Sequence, residues 1–311
     1  MTPPTPTAPN RRVLVIFPGA LGDLMCLMPA LAAIARRHPD ASVELMARLE
    51  LARLVAGRSA VARAHSIDAR EVGALFTDDA SGGARRFFGD FDRIYSFFAS
   101  DDLRLREQLA AATDGEVSFH PFRPGGEGHV SDGYLHAIEA VDETAAAVNA
   151  LLEPAADDLA AAARAIAQSG CAKAKLIVIF PGSGSPAKNW PAENFVALAS
   201  MLSNSVAILG PAEAPIEPVF REAGVALLKN LDLPTVAAIA RVAAAFVGND
   251  SGASHLAAAV GASGAVIFGP TDPARWRPRA LGAARIEVFR RDPLDSIEAW
   301  EVAGVVSKFV A

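Results

Sequence analysis

Val13-Leu14-Val15-Ile16-Phe17-Pro18-Gly19 and, in the second half of the chain, Ile177-Val178-Ile179-Phe180-Pro181-Gly182 are near copies of one another. Each is an unbroken apolar run rich in β-branched residues that stops at Pro-Gly. Such a run suits a strand buried on both faces, as in parallel sheets covered by helices. Outward from the first copy, Leu24, Leu27, Leu31 and Ile34 recur at helical spacing until His38-Pro39-Asp40. Val43–Met46 reads as a second strand and Arg93–Phe98 as a later one. Outward from the second copy, a helix is expected from about Pro191 to Leu202. Strands follow at Val206–Leu209, Ala244–Val247 and Ala265–Phe268, and Ala145–Ala167 reads as an Ala-rich helix before the restart. This alternation predicts an α/β protein of two doubly wound, Rossmann-like domains facing each other across a cleft. The expected division is a flexible tail at residues 1–10, a first domain at 11–170, a second at 171–292 and a closing helix at 293–311. Ligands of such sheets sit beyond the C-terminal ends of the strands, where both Pro-Gly turns stand.

The 311 residues suffice for two domains, and half of them are apolar. The net charge of −6 and the lack of a long basic run argue against nucleic acid as a partner. Cys26 and Cys171 form no C-x-x-C pair, which suits a reducing compartment. No stretch reaches the about 18 unbroken apolar residues of a membrane span. Residues 1–10, rich in Pro and Thr, lack the apolar core of a signal peptide.

Three loops could carry chemistry. Pro181-Gly182-Ser183-Gly184-Ser185-Pro186-Ala187-Lys188 combines small residues, two hydroxyls and a full positive charge just before a helix, a combination that suits a diphosphate. It lacks the P-loop spacing, and a turn with a surface lysine is the plain alternative. Gly248-Asn249-Asp250-Ser251-Gly252-Ala253-Ser254-His255 leads from an apolar strand into an Ala-rich helix. Asp250 or Ser251 can cap that helix, and its first-turn N–H groups offer a second anion site. Gly19-Ala20-Leu21-Gly22-Asp23 lacks the dinucleotide glycine order, which disfavours an NAD-linked oxidoreductase. Asp23, at a helix start, is either an N-cap or a carboxylate able to accept a proton.

Other features carry less. Asp90-Phe91-Asp92 fits the loose D-x-D pattern of metal-dependent sugar transferases but reads as a turn before a strand. Asp78-Asp79 and Asp101-Asp102 read as solvated or capping acids. His120, His129 and His136 have no compact ligand spacing, so no metal site is expected. Arg85-Arg86 and Arg104-Leu105-Arg106 are surface charges that could hold an acidic acceptor.

Taken together, these loops resemble glycosyltransferase family 9, the ADP-heptose:lipopolysaccharide heptosyltransferases. The resemblance rests on Val13–Ile16 through Gly19–Asp23 to Pro29–Leu31, on Pro181–Gly184 with Lys188–Pro191, and on Gly210-Pro211-Ala212-Glu213. It continues in Asn249–Gly252 with His255–Ala257, and in Phe268–Pro273 with Trp276 and Pro278. It spans residues 11–310 in order, but between about 50 and 170 only a general α/β rhythm matches. The resemblance implies a GT-B fold with the acceptor on the first domain, the nucleotide on the second and no metal. The closing helix would cross back to the first domain. It implies Asp23 as general base and Lys188 as the catalytic cation. Gly182, Ser183, Gly184, Ser185, Asp250, Ser251, Gly252 and His255 would surround the donor's diphosphate, Glu213 would bind ribose, and Gly19 and Gly22 would lie on the acceptor side.

The function so implied is inverting transfer of a heptose-type sugar from an ADP-linked donor to a saccharide or lipopolysaccharide-like acceptor. No cofactor is expected, and the location is cytoplasmic, with a glycolipid acceptor drawing the enzyme to the inner face of the membrane. Two rivals remain open at this point. A nucleotide-sugar epimerase of GT-B build would form product without acceptor, and a non-catalytic nucleotide-sugar-binding protein would neither transfer nor hydrolyse the donor.

Overall fold

The computed structural model describes residues 11–77, 80–140, 151–172 and 174–310. The expected tail at 1–10, the Asp78-Asp79 pair and the start of the expected Ala145–Ala167 helix lie outside the described residues. The chain forms two compact units. Of the described residues, the first holds 11–20, 27–126 and 130–140, and the second holds 21–26, 127–129 and 151–310.

The first unit runs through β1 (Arg11–Ile16), α1 (Leu21–Arg37), β2 (Ala41–Ala47), α2 (Leu49–Val55), β3 (Arg63–Ser66), α3 (Arg70–Ala74), α4 (Ala80–Phe88), β4 (Arg93–Ser96), α5 (Leu103–Ala111), β5 (Glu116–Phe119) and α6 (Val130–Ala137). Its five strands are all parallel, in the order β3-β2-β1-β4-β5. Leu14, Ile16 and Ile94 on one face of the sheet pack with Phe88, Phe91, Leu105 and Leu109. Leu21–Cys26, the first turns of α1, belong to the second unit.

One charge is buried in this unit. Glu44 on β2 is inaccessible to solvent and takes two hydrogen bonds from Arg12 (2.9 and 3.0 Å), while His65 Nε2 lies 2.6 Å from its Oε2. Burial alone would raise its pKa; the hydrogen bonds from His65 and Arg12 outweigh that and bring it from the ordinary 4.5 to about 2. Arg12 also lies over Phe91 and ion-pairs with Asp90, and its N–H donates to Asp92. The D-x-D acids therefore clamp the start of β1, as befits a turn. The Glu44 carboxylate's contribution is fully present above pH 4.5 and is lost as pH falls towards 2. This difference is worth on the order of 3 kcal/mol. Glu44→Gln is accordingly expected to lower stability at pH 7 and to flatten the acid limb between pH 4.5 and 2, as read by denaturant titration at each pH.

The second unit runs through α7 (Ala156–Gln168), β6 (Ile177–Phe180), α8 (Ala192–Met201), β7 (Ser205–Leu209), α9 (Glu217–Glu222), β8 (Ala226–Lys229), α10 (Leu233–Val242), β9 (Ala245–Asn249), α11 (Gly252–Ala259), β10 (Gly264–Phe268), α12 (Pro273–Trp276), β11 (Ile286–Arg290) and α13 (Ala299–Val310). Its six parallel strands lie in the order β11-β10-β9-β6-β7-β8. From β6 the chain winds outward through β7 to β8, then returns to the other side of β6 as β9 and winds outward again. That is the doubly wound nucleotide-binding order, and its switch point lies between β6 and β9.

Two expectations are corrected here. The division falls before α7, near residue 150, not at 170, because α7 packs on α10 of the second unit. The closing helix α13 does not belong to the first unit. Val302, Ala303 and Val306 bury their side chains with Phe195 and Leu198 of α8 and with Ile177, Val247 and Ile267 of the second sheet. Its apolar face matches the face of that sheet which α8 leaves uncovered.

Candidate active site

Three loops meet at the C-terminal ends of the second sheet's strands. The first follows β6, through Pro181–Ser185 and a 3-10 turn at Pro186–Lys188, to Asn189, Trp190 and α8. The Ser183 hydroxyl donates to the Ser185 carbonyl (2.8 Å) and accepts from the Ser185 N–H (3.2 Å), which holds the loop tightly turned. Gly184 lies exposed at its tip. Gly182 leaves no room for a side chain, since a Cβ there would overlap the Glu213 carboxylate.

Glu213 stands in the 3-10 turn after β7. Its Oε2 accepts the Gly210 N–H at 2.8 Å and its own N–H donates to the Gly210 carbonyl at 3.1 Å. This reciprocal pair fixes the carboxylate with Oε1 over Gly182.

The second loop follows β9. Ser251 caps α11 by accepting the Ser254 N–H at 3.3 Å, so Ser251 rather than Asp250 is the cap. Asp250 is almost fully buried and bound to two partners through one oxygen: Lys188 Nζ at 2.8 Å and Thr271 Oγ1 at 2.6 Å donate to Oδ2. Thr271 stands in the third loop, after β10. Asp250 therefore fixes the ammonium of Lys188 over the first loop. An ammonium has three N–H donors, and the pair with Asp250 uses one.

Asp23 lies in the first turn of α1, 7% exposed. Gly22 was expected on the acceptor side; it packs against α11, since a Cβ on it would stand 3.6 Å from both Gly252 Cα and His255 Cδ2. Gly252 has the reciprocal constraint, because a Cβ there would come 2.9 Å from Leu21 Cβ. Two glycines thus let the start of α1 touch the start of α11, which brings Asp23 beside that helix N-terminus. Gly19 is buried in the loop after β1. His255 is buried against this junction, with Nδ1 3.7 Å from Cys26 Sγ. Burial brings its pKa down to about 4, an effect that the Asp250 and Asp23 carboxylates only partly offset, so the ring is neutral at pH 7.

The sequence profile of glycosyltransferase family 9 (heptosyltransferase) matches residues 126–293, more than half of the chain. The protein is a member of glycosyltransferase family 9. No curated protein matches it in sequence. Among solved structures it is similar to a family 9 glycosyl transferase from Veillonella parvula, at 18% identity and a TM-score of 0.78 over 97% of each chain. It is also similar to E. coli ADP-heptose LPS heptosyltransferase II, at 17% identity and 0.71 over 96% of this chain and 98% of that one. E. coli heptosyltransferase WaaC, solved with ADP, is similar at 18% identity and 0.68 over 96% and 99%. The two Rossmann-like units are those of a GT-B glycosyltransferase.

In this family 9 chain the structure assembles Gly182–Ser185, Lys188, Glu213, Asp250–Gly252, His255, Gly22 and Asp23 within the second unit. Sequence reasoning gave Asn249, Thr271 and Trp190 no role, although all three lie in or beside the quoted motifs. Among the described residues no group of three or more His, Cys, Asp or Glu is arranged to hold a metal. No described helix is long and apolar enough to cross a membrane. In the first unit, Arg85 is committed to Asp114 (2.7 and 2.8 Å) and Arg106 lies over the Phe119 ring.

Proposed function

We propose that this enzyme moves a heptose-type sugar from an ADP-linked donor to a hydroxyl of a saccharide or lipopolysaccharide-like acceptor, with inversion and without a metal. The carrying observation is the pairing of the Lys188 loop with the N-terminus of α11 on either side of the β6/β9 switch point. A diphosphate seated there would meet the ammonium of Lys188 and the first-turn N–H groups of α11. Glu213, fixed at the end of β7, would accept hydrogen bonds from ribose hydroxyls. That WaaC was solved with ADP, and that its relative heptosyltransferase II is named for ADP-heptose, favours adenine as the base.

Asp23 would take the acceptor's proton as that oxygen attacks the anomeric carbon, and the C–O bond to the nucleoside diphosphate would break on the opposite side. Negative charge then grows on the departing diphosphate. Lys188 and the α11 N-terminus would stabilise it most where it is fullest, which lowers the barrier rather than merely tightening binding. A lipid-linked acceptor would place the reaction at the cytoplasmic face of a membrane.

A thermal-shift comparison of ADP, UDP and GDP tests the reading. At about 100-fold excess over its Kd, ADP should stabilise by about 2.7 kcal/mol and raise Tm by several degrees, equally with and without EDTA. UDP and GDP should do much less. An equal shift with all three overturns the ADP assignment, no shift with any overturns the donor site, and a shift abolished by EDTA overturns metal independence.

A further inference from the structure

Asn249 ends β9 and is wholly buried. Its side-chain Oδ1 accepts the Trp190 N–H at 3.0 Å, and its Nδ2 donates to the Pro181 carbonyl at 2.7 Å. Its own carbonyl accepts from Ser254 Oγ of α11 at 2.7 Å. Pro181 and Trp190 are the two residues that flank the Gly182–Asn189 loop. One planar amide therefore holds both ends of the loop that carries Ser183, Ser185 and Lys188, and its backbone leads directly into Asp250 and α11. Trp190 is anchored in turn, buried against Phe195 with its indole N–H donating to the Ile297 carbonyl at 3.0 Å.

We propose that Asn249 is a positioning residue that closes the phosphate loop at both ends and sets its distance from the α11 N-terminus, and so determines how well the second phosphate of the donor is held. The reason lies in hydrogen-bond chemistry. The site needs one donor and one acceptor in the same rigid plane, and Asn249 meets both while wholly buried. Aspartate has the shape but no donor, so it would set a carboxylate oxygen against the Pro181 carbonyl. Serine is too short to span both ends. Either change frees one end of the loop while leaving Asp250, Thr271 and Glu213 chemically intact.

The inference rests on the nucleoside diphosphate reading above, and the test separates the two. ADP and AMP affinities are measured by calorimetry on the wild type, Asn249→Asp and Asn249→Ser. AMP lacks the second phosphate but carries the same base and ribose, so the ADP-to-AMP affinity ratio isolates the loop's grip on that phosphate. The ratio should fall about tenfold in the variants, the order of magnitude expected when one buried hydrogen-bond partner is lost. General loosening of the fold would weaken both ligands in parallel and keep the ratio. A kept ratio, by that route or because both affinities are unchanged, overturns the inference while leaving the donor site standing. Asn249→Ser places no second acceptor against the Pro181 carbonyl, so it serves if Asn249→Asp does not fold. A wild type that binds no nucleoside diphosphate sinks both readings.

Discussion

Asp23→Asn should reduce transfer by about 10²–10⁴-fold, the range that a positioned general base supplies, while ADP affinity stays within about twofold of wild type. The substitution keeps the size and the hydrogen-bonding reach of the side chain. It removes the site's ability to take up the proton released when the acceptor hydroxyl attacks. Asp23 and the proposed diphosphate site are brought together by the Gly22–Gly252 contact, but the diphosphate's proposed partners are Lys188 and the first turn of α11. Donor binding should therefore survive the loss of the base. Steady-state rates against acceptor and calorimetry with ADP are the two measurements. Wild-type turnover in Asp23→Asn removes Asp23 as the base, and a large loss of ADP affinity makes it part of the donor site instead.

Lys188→Gln should lower kcat by about 10²–10³-fold, as expected for removal of one preorganised charge aimed at a developing anion. ADP affinity should fall less than the rate, because the lysine acts most strongly when the leaving diphosphate carries its full charge. Asp250 complicates the single variant: its side chain is 5% exposed and would lose its cationic partner. Breaking one side of a buried pair is costly in itself. Lys188→Gln should therefore also lower Tm, and Lys188→Gln with Asp250→Asn should recover part of that Tm without recovering rate. If the double variant regains turnover, Lys188 matters only as the counter-ion of Asp250 and the leaving-group role is wrong.

The strands that were legible beforehand share a position. Val13–Ile16, Val43–Met46, Ile177–Phe180, Val206–Leu209, Ala244–Val247 and Ala265–Phe268 all fall on inner strands, as does Arg93–Phe98. Strands β3, β5, β8 and β11 were not legible, and these are the four edge strands of the two sheets. An inner strand is covered on both faces and is mostly apolar, with a charge such as Glu44 kept only where it is paired, so its sequence announces it. An edge strand is half solvated and tolerates Arg63, Glu116, Lys229 or Arg290, so its composition resembles that of a loop.

The site divides along a similar line. The sequence by itself determined the restart of the strand pattern, the two Pro-Gly turns and the small-residue loops, because local backbone chemistry requires particular residues at each. It thereby marked Lys188, Ser251 and Asp23, and Glu213 was implied by the family resemblance alone. Only the tertiary structure decided what each one touches. It made Asp250 the partner of Lys188 and Thr271, Gly182 the space beneath Glu213, Gly22 a contact of α11, and Asn249 the tie across the loop from Pro181 to Trp190. It also gave α7 and α13 to the second unit. These are contacts between residues distant in sequence. They depend on which apolar faces and which buried donors and acceptors meet, and no spacing along the chain records that.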